Sequence, residues 1–206
     1  MSKLETNTID NISGSSTLTI GDSNASTISI PKNITLGASG TTITVPSGAT
    51  ITNNGTQTGF GGTMTPAFEA TLTQMTNPGD ATFFKGNYNT EVYDTNGNYD
   101  AATNKRFTPT VAGKYFIYLS ANFDAQGISN FGSCKIAVYK NGSSYRESYF
   151  DEFNNYYSYA KTPYLGTVVD MNGTTDYVEG YLFFNIITGT AYRVSYGVFG
   201  GYKIIE

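Results

Sequence analysis

The sequence predicts an all-β protein in two parts: an N-terminal β-rich fibrous arm, residues 1–62, and a jelly-roll β-sandwich head, residues 63–206. A homotrimer is the expected assembly. Three observations carry this. Phe60 is the only aromatic before residue 63, so the head holds all but one of the chain's 17 Tyr and 13 Phe. The arm alternates β-branched with small polar residues. The head shows frequent strand signals and no helical period.

The arm is built from short pulses: Thr17–Ile20, Thr27–Ile30, Ile34–Leu36, Thr42–Val45 and Ala49–Ile51. Gly, Asn, Ser or Pro separates them. One pulse buries two or three aliphatic side chains at best, at about 1.5–3 kcal/mol each. That does not offset the ordering entropy of a lone arm. Three arms wound together share a continuous apolar stripe, so interchain β structure is expected. Residues 1–14 lack the pulses and are expected to dock onto a larger assembly.

In the head, strands are expected at 67–75, 88–93, 113–123, 133–140, 145–150, 164–170, 176–186, 190–198 and 199–205. Asn96-Gly97, Asn141-Gly142 and Asn172-Gly173 are hairpin-turn signals, because both residue types tolerate positive φ. Short strands at this density over residues 63–206 read as a sandwich or jelly roll.

Composition narrows the function. Net charge is −4, from 12 Lys+Arg against 16 Asp+Glu. No basic stripe suits a nucleic-acid partner. No apolar run of about 18 residues suits membrane insertion by a helix. The chain has no His, which removes Ser-His-Asp and Cys-His catalysis and most zinc or non-haem iron sites. Cys134 is the single cysteine, so no intrachain disulfide forms. With no histidine to activate it, it reads as a small buried residue. The first residues, Met1 to Asn7, do not read as a signal peptide. Six N-x-Ser/Thr sequons, at Asn11, Asn24, Asn33, Asn54, Asn141 and Asn172, read as a by-product of composition. A surface-protein composition without export signal or disulfides fits a virus particle assembled inside a host cell.

The stretch from Tyr88 to Leu119 resembles the signature of the globular head of complement component one, subcomponent q, a member of the tumour-necrosis-factor-like jelly rolls. The residues that carry it are Tyr88, Asp94, Tyr99, Phe107, Gly113 and Tyr115. Tyr88 stands where Phe is usual, the loop Asp100–Arg106 is one residue longer, and Ile117 replaces Phe. Asp176–Glu179 is similar to the family's next-to-last hairpin strand, Gly197–Tyr202 to its closing strand, and Pro66-Ala67-Phe68 to its opening. The resemblance covers residues 63–206 and implies a trimeric jelly roll; with no histidine and no convergent carboxylates in the sequence, no enzymatic activity is expected. Animal members carry collagen arms, whereas this arm has no Gly-X-Y period. It looks like the arms of bacteriophage tail fibres.

For ligand contact, Tyr145–Tyr164 is the richest segment, with eight aromatics interleaved with charged and amide residues. Phe153, Asn154, Asn155, Tyr156, Tyr157 and Tyr159 break the strand alternation and are expected to form an exposed binding loop. The alternating strand residues around them are expected to pack the trimer seam or the sandwich core. Asp94, Asn96, Asn98 and Asp100 offer oxygens at alternating positions that suit Ca²⁺. Gly97 is misplaced for an EF-hand, however, and Lys105 stands where its bidentate Glu belongs. An Asx-rich turn is favoured, and no cofactor is expected. Asp151 and Glu152 are neighbours that a strand sends to opposite faces, which argues against a glycosidase pair.

The expected function is that of a bacteriophage virion protein: a trimeric tail fibre whose head binds host glycan or outer-membrane protein through multivalent contact. The alternatives are a capsid decoration, head-fibre or tail-connector protein, and, behind both, a polysaccharide depolymerase.

Overall fold

The computed structural model describes residues 42, 44–52, 64–126, 130–151 and 160–204. The chain divides into two compact units, Met1–Thr56 and Gln57–Glu206. The expected junction at 62–63 falls outside the described residues, as do the pulses at 17–36. In the first unit, the described residues from Thr44 to Thr52 form no strand within the single chain. A turn at Ser47-Gly48 is closed by Ala49 N–H to the Pro46 carbonyl at 3.1 Å, and Val45 and Ile51 are exposed.

The second unit holds fifteen strands among its described residues, and no helix. In chain order they are β1 Ala67–Thr71, β2 Met75–Thr76, β3 Thr82–Lys85, β4 Thr90–Asp94, β5 Tyr99–Asp100, β6 Arg106–Phe107, β7 Gly113–Ser120 and β8 Phe123–Asp124. Then follow β9 Asn130–Lys140, β10 Ser143–Asp151, β11 Ala160–Lys161, β12 Tyr164–Met171, β13 Val178–Thr188, β14 Arg193–Val194 and β15 Val198–Lys203.

One sheet runs β12-β7-β15-β1-β4 and a second runs β10-β9-β13-β6-β5, with β3 also paired to β13. A small third sheet runs β11-β8-β14-β2. Every pairing is antiparallel. The first and last long strands, β1 and β15, are neighbours, β9 and β10 form a hairpin, and the chain passes between the two main sheets from β7 to β9, β10 to β12, β12 to β13 and β13 to β15. That is jelly-roll order.

Period-two alternation positions the core. Tyr115, Ile117 and Leu119 of β7 point inward with Phe68, Ala70, Val169 and Phe199. Cys134, Ile136 and Val138 of β9 meet them from the second sheet with Val178, Leu182 and Phe184. Each large side chain so buried contributes about 1.5–3 kcal/mol.

The sequence reading differs from the structure in several places: the strand expected at 113–123 breaks into Gly113–Ser120 and Phe123–Asp124, and Tyr99–Asp100 and Ala160–Lys161 pair as short strands that were not expected. The strand expected at 67–75 ends at Thr71, and only Met75–Thr76 pairs again. Thr82–Lys85 forms a strand that was not expected. It follows the loop Asn77–Ala81, whose two end residues take positive φ, so the sequence around it reads as loop. The run 190–198 pairs as a strand at Arg193–Val194 and again only at Val198, where β15 begins; between them Ser195 and Tyr196 bond to the Asn122 backbone outside the strand.

The three Asn-Gly pairs also diverge. Asn141 and Gly142 both take positive φ, 52° and 78°, and join β9 to β10 with Lys140 opposite Ser143, a two-residue hairpin. At Asn96-Gly97 and Asn172-Gly173 only the glycine is positive, and wider loops form. Asn172 Oδ1 accepts the backbone N–H groups of Thr174, Thr175 and Asp176, at 3.0 Å each. A Cβ at Gly173 would collide with the Ala112 amide nitrogen, so close approach adds to the φ requirement.

Candidate functional site

The expected contact residues Phe153, Asn154, Asn155, Tyr156, Tyr157 and Tyr159 lie outside the described residues, as does Glu152. Their flanks are described. Phe150 points into the sandwich and meets Phe131 edge-on at 6.0 Å, while Lys161 Nζ lies 4.3 Å from the Phe150 ring centroid. Tyr145, Tyr149 and Tyr164 are exposed. Of these alternating residues, Phe150 packs toward the sandwich core, and the three tyrosines do not pack in the core of the single chain. The register explains the split: Phe150 lies opposite inward-facing Cys134, and Tyr149 opposite outward-facing Lys135.

The oxygens of the Asp94–Asp100 segment are engaged locally. Asp94 accepts the Asn96 and Tyr99 N–H groups at 3.2 and 2.6 Å. Asp100 accepts those of Thr103 and Asn104 at 2.8 and 3.1 Å. Asn98 Oδ1 accepts the Thr110 N–H at 3.2 Å, and Asn96 Oδ1 accepts the Thr95 hydroxyl at 2.8 Å. The backbone N–H of Thr103 leads the bonds that hold the Asp100 carboxyl below its usual range. Loop latching accounts for these residues.

The aromatic residues of the Tyr88-to-Tyr115 pattern do structural work. Tyr88, Tyr99, Phe107 and Tyr115 are all buried. The Tyr99 hydroxyl donates to the Tyr88 carbonyl at 2.6 Å, and the Tyr88 hydroxyl donates to the Ser120 carbonyl at 3.0 Å. Burial is the main reason both phenols are pushed well above their ordinary range. Cys134 is fully buried, and burial pushes its thiol up to about 12, against the opposing charge of Lys161.

The surfaces available for contact are the outer faces of the two main sheets. Alternation leaves both aromatic, which the strand-by-strand sequence reading missed. On the five-stranded sheet, Phe116 stands 5.7 Å from Tyr202 and 6.3 Å from Tyr118. Tyr118 donates to Glu69 Oε2 at 2.6 Å, and its ring covers Gly200, where any Cβ would collide with it. Burial, then bonds to Glu69 and Tyr93, raises the Tyr118 phenol far above its normal range. Tyr93, Tyr164 and Val168 extend this face and are exposed. On the second sheet, Tyr139 and Tyr181 stack at 4.0 Å and Phe83 meets Phe183 at 5.3 Å. The signal was present in Lys135-x-x-x-Tyr139 and Tyr181-x-Phe183, whose members share one face at even spacing.

No protein-family model matches the chain, and no curated protein matches it. Among solved structures it is similar to the globular domain of zebrafish complement 1qA protein, at 21% identity and TM-score 0.48, over 68% of this chain and 96% of that one. It is also similar to Eiger TNF from S. frugiperda, at 8% identity and TM-score 0.42, over 68% of this chain and 93% of that one. Murine APRIL at pH 8.0 has 11% identity and TM-score 0.44, over 67% of this chain and 99% of that one. The strand pairing, not these likenesses, establishes the sandwich.

Proposed function

We propose that the chain is a bacteriophage virion protein, a homotrimeric fibre whose head binds glycan or protein on the host surface. The observation that carries this reading is the aromatic outer face of the five-stranded sheet. Phe116, Tyr118, Tyr202, Tyr164 and Val168 leave that face only half covered in a single chain. An apolar patch rimmed by polar groups is typical of subunit contact. A self-associating head behind an arm that cannot fold alone fits a fibre built from copies of one chain. Residues 1–14 attach it to other virion proteins, and three heads on one stalk gain avidity from individually weak contacts.

The test is competition. Saturating soluble full-length protein slows phage adsorption if the head attaches to the host. Replacing Tyr156, Tyr157 and Tyr159 together by Ala removes the competition while the native mass is retained, if that loop is the contact. Adsorption unaffected by wild-type protein, with the protein located on the capsid, replaces this reading with the decoration role.

A further inference from the structure

The Asn-Gly pairs of the head carry a chemical liability as well as turns. Asn96, Asn141 and Asn172 are all exposed, and each is followed by glycine. A fourth pair, Asn54-Gly55, lies outside the described residues. A glycine nitrogen has no side chain beside it, so it can approach the asparagine Cγ and close a five-membered ring. Closure needs the side-chain amide to turn toward the main chain. Hydrogen bonds that hold the amide in place oppose that rotation.

Two of the three amides are held at both ends. Asn141 Nδ2 donates to Asp176 Oδ1 at 2.8 Å, and Asn141 Oδ1 accepts the Tyr177 N–H at 2.9 Å. Asn172 Oδ1 accepts the N–H groups of Thr174, Thr175 and Asp176, and its Nδ2 donates to the Thr175 hydroxyl at 2.9 Å. Gly173 is fixed as well, against the main chain of Val111 and Ala112.

Asn96 differs. The Thr95 hydroxyl donates to its Oδ1 at 2.8 Å but also lies 3.3 Å from the Ala67 carbonyl, so one proton serves two acceptors. Asn96 Nδ2 donates to no group among the described residues. No atom lies within 4 Å of where a Cβ of Gly97 would stand. Meanwhile Asp94 accepts the Asn96 and Tyr99 N–H groups at 3.2 and 2.6 Å, which fixes the main chain on either side of the loose amide.

We propose that Asn96 is a site of spontaneous deamidation in the folded head, and that Asn141 and Asn172 are protected by their bonds. The Gly97 nitrogen, having lost its proton to solvent base, attacks Asn96 Cγ. The new C–N bond closes a succinimide, the Cγ–Nδ2 bond breaks and ammonia leaves. Water then opens the ring at either carbonyl, giving aspartate or isoaspartate. Both products place a new carboxylate between Asp94 and Asp100. The isoaspartyl product also lengthens the main chain by one methylene inside the loop that Asp94 closes onto Tyr99. This modification is separate from the attachment reading and holds whatever the head binds.

The experiment is a time course of the full-length protein in mildly alkaline buffer, read by peptide mapping with mass spectrometry. Lys105, Lys140, Arg146 and Lys161 place the three sites in separate tryptic peptides. The expected result is that Asn96 converts at least about tenfold faster than Asn141 or Asn172, the factor carried by about one net hydrogen bond. In denaturant the three rates converge, because only the shared Asn-Gly chemistry remains. Asp176→Ala frees Asn141 Nδ2 and raises conversion at Asn141 toward that at Asn96. The wild-type comparison stands by itself if that variant does not fold. Three results each overturn the proposal: Asn141 or Asn172 converting as fast as Asn96 in the native protein, the same rate order persisting in denaturant, or folded Asp176→Ala leaving Asn141 conversion unchanged.

Discussion

Phe68 on β1 lies nearly face to face with Phe107 on β6, ring centroids 4.3 Å apart and planes 18° from parallel. The two residues belong to opposite sheets, so the contact crosses the sandwich. Tyr99 stacks near the same Phe68 ring at 4.8 Å, and Phe199 meets it edge-on at 5.0 Å. Strands from the start, middle and end of the head therefore converge on one fully buried side chain. Phe68→Ala is expected to destabilise the head by about 3–5 kcal/mol, because the rigid rings around it cannot close the cavity. Denaturant unfolding measures this, and a loss under 1 kcal/mol would mean that the cluster repacks.

Phe116 belongs to the face assigned to subunit contact. Its ring partners there are Tyr118 and Tyr202, and it is not part of the buried core cluster. Phe116→Asp is expected to leave the sandwich folded and to break the assembly, since it places an unpaired charge in an apolar seam. Light scattering of the wild type should give three times the 22.2 kDa chain mass, and the variant should give the single-chain mass. A wild type that already runs as one chain removes the trimer.

Asp176 ties two turns together. It accepts the Asn141 amide at 2.8 Å and the Asn172 N–H at 3.0 Å, and pairs with Lys140 at 2.9 Å. These bonds, the Asn141 amide first, hold its carboxyl below the usual range. A carboxyl lowered in the native state stabilises fully above its unfolded pKa. That contribution fades as pH falls through the usual carboxylate range to the lowered native value. Asp176→Asn should therefore be less stable than wild type near neutral pH, with the gap narrowing on acidification. Thermal melts across pH check this, and a gap that widens in acid contradicts it.

Cys134 is fully buried, and burial pushes its thiol up to about 12. The reactive thiolate is therefore scarce at pH 8, and access is closed as well. A maleimide or aromatic disulfide reagent should label native protein only as fast as it unfolds, and label it promptly in denaturant. Fast native labelling would mean that β9 opens locally at Cys134.

How much was legible in the sequence varies by element for identifiable reasons. Gly113–Ser120 and Val178–Thr188 were readable because each buries one face, and the period of two is printed in the residue types. The Asn141-Gly142 hairpin was readable because two consecutive positive φ values demand those residues. Thr82–Lys85 was not, because four residues behind a Pro-Gly turn carry too little periodicity to outweigh the turn signals. The expected loop contacts, Phe153 to Tyr159, lie outside the described residues. The aromatic faces that were described were missed because each is assembled from strands far apart in the chain.

By itself, then, the sequence determined the class of fold and the contrast in composition between arm and head, because alternation and turn chemistry are local properties; the aromatics from Tyr88 to Tyr115 were legible as a family resemblance, and their burial came from the structure. Only the tertiary structure decided that Phe83, Lys135, Tyr149 and Phe183 share one surface, and that Phe116, Tyr118 and Tyr202 share another. Those groupings depend on strand order and cross-strand register, which are set by which inward-facing rings interlock across the core. A one-residue slip in any pairing would send the same side chains to the opposite face.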